Sequence, residues 1–227
     1  MNENIFTITL IIIEIIFTFM VLKALHNVGA KKPMLAVLGI VLIGWLITDY
    51  LLIINGFFSA TGMSQVAFTA AVVIPTVVGF LAISFYQPLK QVVNRMGTET
   101  FLLLQHMRSV FGVLFFFTAA LPLWFQLLGG LGDIAAGIGA FLALRYYRNN
   151  PDNERQAIVR GNFAGILDFI LVISFGVLVV LRDSSPDIMF DLIPLYVVPQ
   201  FILFHIFSLK LLAKEKPGRS KPQASLV

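Results

Sequence analysis

The sequence predicts an all-α integral membrane protein, a bundle of seven transmembrane helices with its N-terminus outside and its C-terminus inside. Three observations carry this. The 227 residues are 58% hydrophobic and only 12% charged, whereas soluble domains carry about a quarter charged residues. Apolar runs of about 20 residues, the length that crosses ~30 Å of hydrocarbon, recur along the chain. Lysine and arginine collect in alternate loops, as the positive-inside rule requires.

The elements follow in order. The first span is read at 5–25, with Glu14 inside it; MNENIF before it is acidic where a cleaved leader would be basic. The turn KKP (31–33) leads to a second span at 34–57, whose LITDY places Asp49. The loop NGFFSATGMSQ (55–65) carries no lysine or arginine. A third span at 65–87 contains Pro75, which removes a backbone hydrogen bond. QPLKQVVNRMGTE (87–99) is read as a loop and PLWFQLLGG (122–130) as another, with a fourth span at 101–125 between them. The fifth span, 127–147, holds Asp133 among glycines and alanines. RNNPDNER (148–155) separates it from the sixth, 159–181, with Asn162 and Asp168. After RDSSPD (182–187), a seventh at 188–213 contains Pro194, Pro199, Gln200 and His205. Residues 214–227 form a basic tail expected to be disordered.

His26, Lys31, Lys32, Lys90, Arg95, Arg145, Arg148, Arg155 and the tail all follow odd-numbered spans. Loops after spans two and four carry no such charge, and the loop after span six carries only Arg182. The net charge of +4 therefore reflects topology, not a nucleic-acid surface. The chain has no cysteine, which excludes disulfides, thiolate metal centres and cysteine nucleophiles. No phosphate-binding loop, Ser–His–Asp spacing or zincin motif is present, and neither a metal nor a cofactor is expected. The lipid bilayer is the expected partner, together with a small anionic solute or ion.

Charged groups at membrane depth are candidates for function, with a structural ion pair as the alternative. The candidate binding residues are Glu14, Asp49, Gln105, Arg108, Asp133, Asp168 and His205. At ~1.5 Å per residue from the inner end of each span, Arg108, Asp168 and His205 share a depth, and Asp168 is the natural partner of the arginine. Asp133, with Asp49 or Glu14, falls nearer the outer half. Gln105, Arg108 and Gly112 share one helical stripe. Asp133 and Asp168 ride on small-residue faces, Gly129–Asp133–Gly137 and Gly161–Gly165–Asp168, which favour close helix contact. His106 and His205 could ligate haem only by facing each other, and lone membrane histidines are more often packed.

An internal repeat is also legible. An offset of 119 aligns Glu14 with Asp133 and Asp49 with Asp168, and an offset of 124 aligns Pro75 with Pro199. Spans 1–3 would then repeat in parallel as spans 5–7, with span four a linker. In layout this 3+1+3 arrangement resembles SWEET-type sugar transporters and the seven-helix opsins, which implies a site between repeats. A retinal-binding lysine has no counterpart in the middle of span seven, where Gln200 and Phe201 stand.

The run Gln105-x-x-Arg108-x-x-x-Gly112, with LPLWF (121–125), GGLGDIAAG (129–137), GILDF (165–169), Pro199, His205, Ser208 and Leu209, resembles a group of small bacterial multi-pass membrane proteins. That resemblance implies a bacterial inner membrane and no particular activity. GLGD (130–133) is also similar to the GxGD element of presenilin- and prepilin-peptidase-type intramembrane aspartyl proteases. It would imply a catalytic pair, Asp133 with Asp49, but no PAL-like element follows. Three readings stand: a small-solute or ion transporter first, a non-catalytic receptor or assembly partner with structural ion pairs second, and the protease third.

Overall fold

The computed structural model describes residues 3–58, 64–118, 121–149, 154–182 and 191–214. The tail from 215, the loop 183–190 and the start of the seventh span at 188 lie outside the described residues. Every regular element described is helical: α1 (Glu3–Asn27), α2 (Lys32–Ile54), α3 (Ser64–Phe85), α4 (Gln87–Gln105), α5 (Arg108–Leu114), α6 (Leu123–Asn149), α7 (Glu154–Arg182) and α8 (Val198–Lys214). A short 3₁₀ turn (Phe115–Phe117) extends α5, and a π-helical turn (Ile193–Val197) opens α8. Among the described residues, seven stretches are long and apolar enough to cross a membrane: Asn4–Asn27, Lys32–Ile54, Val66–Phe85, Gln87–Phe117, Leu123–Tyr146, Arg155–Phe175 and Ile193–Lys214.

The fourth stretch differs from its sequence reading. Residues 87–96 form a helix, not a loop. Leu89, Val92, Val93 and Met96 recur at helical spacing and are buried, while Gln91, Asn94 and Arg95 face outward. This is the pattern of a helix lying along an apolar boundary. Its polar composition disguised it. Gly97, at φ 72° and ψ 164°, then turns the chain, in backbone space that is essentially closed to residues with a Cβ. The run 122–130 is likewise mostly helical, since α6 begins at Leu123.

α8 is the hub. Its stretch is the most buried of the seven, and it packs on α3, α4 and α7. α6 and α7 make the most extensive helix pair, with α5 laid against α6. The small residues of α6 and α7 permit this approach: in α5, Gly112 lies so close that a Cβ there would sit 2.7 Å from the Gly130 carbonyl oxygen. α1 and α2 pair with each other and reach the rest through α4 and the π-helical turn. The outer faces of α1, α2 and α3 expose Ile12, Ile40, Val66 and Ile74 among many large apolar side chains, as a surface solvated by lipid tails would.

Candidate functional site

Arg108 is the largest fully buried side chain, 1% exposed. It begins α5, where the chain tightens: Ser109 and Val110 donate to the carbonyls of His106 and Met107, three residues back. The hydrogen-bond pattern tightens just before the arginine, while His106 and Met107 keep right-handed helical backbone angles. All three guanidinium nitrogens are engaged. Nε donates to Asp133 Oδ1 at 2.8 Å and Nη2 to the same oxygen at 2.6 Å. Nη2 also donates to Asp168 Oδ2. Nη1 donates to the Gly165 carbonyl at 2.9 Å and faces His205 Nε2 at 3.5 Å. The Phe169 ring stacks on the guanidinium, its centroid 3.8 Å from Cζ, a contact worth about 2 kcal/mol when dry.

A second shell fixes the histidine. Asn162 Nδ2 donates to the Ile158 carbonyl and to Ser208 Oγ, both at 3.0 Å, so its Oδ1 must be the acceptor. That oxygen takes bonds from Gln105 Nε2 at 3.2 Å and from His205 Nδ1 at 3.0 Å. With its proton on Nδ1, His205 presents a lone pair on Nε2 to Arg108. Gly165 makes room for the arrangement: a Cβ there would lie 2.7 Å from His205 Nε2 and 2.9 Å from Arg108 Nη1.

Five of the residues singled out from sequence are thus gathered into one network: Gln105, Arg108, Asp133, Asp168 and His205. The Arg108–Asp168 pair is present, and Asp133 shares the same guanidinium. The expectation that Asp133 lies in the other half, with Glu14 or Asp49, is corrected. Counting depth inward from residue 101 placed the arginine too near the surface, because the chain turns into this stretch at Gly97. His106 stands apart, donating from Nδ1 to the Gly137 carbonyl at 3.1 Å.

Glu14 and Asp49 belong to a second cluster. They interact electrostatically with each other and with Tyr196 of the π-helical turn. The Tyr196 hydroxyl bonds Thr18, which donates to the Glu14 carbonyl at 2.8 Å. Asp49 is bonded by Trp45, whose ring packs 5.2 Å from that of Tyr196. Asp133 has Asp168 as its carboxylate neighbour across the Arg108 guanidinium. On α8, Phe201 and Phe204 lie between Tyr196 and His205, and Phe17 packs on both at 5.1 and 6.1 Å.

Sequence reasoning missed Thr18, Tyr196 and Phe169, since hydroxyl and aromatic residues do not stand out in apolar helices. Ser208 carried a signal in its spacing, three residues after His205 on one stripe. A groove of about 450 Å³ between α7 and α8 ends on this network, with Ile170, Ile173 and Ile206 at its mouth and Phe169 and His205 at its floor.

The chain belongs to the DUF8737 family, a domain of unknown function, which matches residues 66–213. This match takes in all of the Arg108 network and excludes Glu14 and Asp49. No curated protein and no solved structure matches the chain.

Proposed function

From the premise of a DUF8737 member with this site, we propose a proton-coupled transporter of a small anionic solute or ion. It works in a bacterial cytoplasmic membrane, N-terminus outside and C-terminus inside. The observation that carries this reading is the charge of the Arg108 network: one guanidinium between two carboxylates from different helices, beside a histidine with one ring proton. The sum is one negative charge in excess, in a place where uncompensated charge costs several kcal/mol. A proton on Asp168 brings the sum to zero and releases its hold on Nη2. An anionic group of the solute then takes the freed position, and departure of solute and proton restores the start. Asp133, which holds Nε and Nη2 through one oxygen, keeps the arginine in place throughout.

Orientation rests on the sorting of lysine and arginine between loops.

Liposomes containing the purified protein and a trapped pH dye test the proposal. An inward gradient of acetate, lactate, succinate or phosphate should drive proton entry, and Asp168→Asn should abolish it. If none of a broad anion panel moves protons through the wild type, the reading fails.

A second reading, a non-catalytic receptor or assembly partner, is favoured by one observation: every nitrogen of Arg108 is already engaged. In that case the charges lock α5, α6 and α7 together, and Asp168→Asn costs stability alone.

A further inference from the structure

We propose that Glu14 and Asp49 form a second binding site, for a monovalent cation, either a proton or sodium. Glu14 is 0% exposed, and neither carboxylate oxygen has a hydrogen-bond partner among the described residues. Asp49 is 3% exposed, and its Oδ2 is equally unpartnered. Two buried acids whose charges act on each other are unfavourable twice over when both are ionised, through desolvation and through mutual repulsion. A bound cation relieves both costs. The titratable groups facing Glu14 are Asp49 from α2 and Tyr196 from the π-helical turn.

The ligand class follows from the donors. Glu14 and Asp49 offer carboxylate oxygens, and Thr18 and Tyr196 add hydroxyls close by. An all-oxygen set selects hard cations over transition metals. Tyr196 lies in the π-helical turn, a geometry that recurs at functional sites. The phenylalanines at 17, 201 and 204 pack on one another, with Phe17 three residues from Glu14 on α1 and Phe201 5.9 Å from the Arg108 guanidinium.

This deepens the transport reading by supplying a second cation position, yet its test needs no flux, so each can fail alone. The detergent-purified full chain is treated with dicyclohexylcarbodiimide, which modifies protonated carboxyls in apolar surroundings. Labelling at Glu14 is then read by mass spectrometry over a pH series in NaCl, KCl or choline chloride. Suppression by sodium alone at fixed pH, several-fold at saturation, identifies sodium. Labelling blind to salt that falls as pH rises identifies a proton. In both cases Asp49→Asn should shift the response. Thermal melting over the same conditions guards against poor reagent access, and Glu14→Gln should erase its dependence on the cation. The proposal is overturned if neither labelling nor melting responds to pH or sodium, or if both respond identically in wild type and Asp49→Asn.

Discussion

Removing Arg108 alone leaves Asp133 and Asp168 facing each other with no cation between them. Arg108→Gln should therefore cost about 3–5 kcal/mol, read as a lower midpoint in chemical unfolding. The triple change Arg108→Met, Asp133→Asn, Asp168→Asn should recover most of that loss while transport stays absent, because ion pairs at depth gain little over neutral packing. Recovery of flux together with stability would sink the transport role of these charges. Gly165→Ala tests a different contact. Its new Cβ would press on His205 and Arg108, and overpacking of this kind costs about 1–3 kcal/mol. Gly44→Ala, with open space around the position, should instead be neutral or slightly stabilising in the same melt. At this scale the sequence was informative where charge was involved. Arg108 at depth demanded an acid, and Asp168 was the right one. Asp133 was placed wrongly, because depth counted along a helix depends on knowing where that helix starts.

At the scale of elements, the segment around Gly97 shows why boundaries were harder to read than partners. Lysine, asparagine and arginine at 90, 94 and 95 look like a loop, yet Leu89, Val92, Val93 and Met96 form a continuous buried stripe. Amphipathic helices average out to polar composition, so only periodicity exposes them. Gly97→Ala should lower stability by about 1–3 kcal/mol, since alanine does not tolerate that backbone conformation. Gly139→Ala, also with open space around it, is the matched control. If both substitutions melt alike, the turn at Gly97 is not required. The π-helical turn at Ile193–Val197 was not legible at all, because Pro194 and Pro199 signal an irregularity without saying which kind.

For the whole molecule, composition and hydropathy were enough to count the helices, and the alternation of basic loops gave an orientation to test. Reporter fusions after residues 57 and 149 should report opposite sides of the membrane, with 149 inside. The reverse pattern would place the N-terminus inside. The family match takes in the Arg108 network but not α1 and α2, so the two acid pairs have separate standing in the sequence as well as in space. The turn at Gly97 has one more consequence. Arg108 lies 11 residues beyond it, roughly 16 Å of helical rise and about half the ~30 Å of hydrocarbon. On the transport reading, with Gly97 at the hydrocarbon edge, a proton reaching Asp168 from either side would cross about half of the membrane's electric field. At about 2.3 kcal/mol per charge per 100 mV for a full crossing, a half crossing changes proton occupancy roughly sevenfold per 100 mV. A cell's membrane voltage would then load or unload this carboxylate even with equal pH on the two sides.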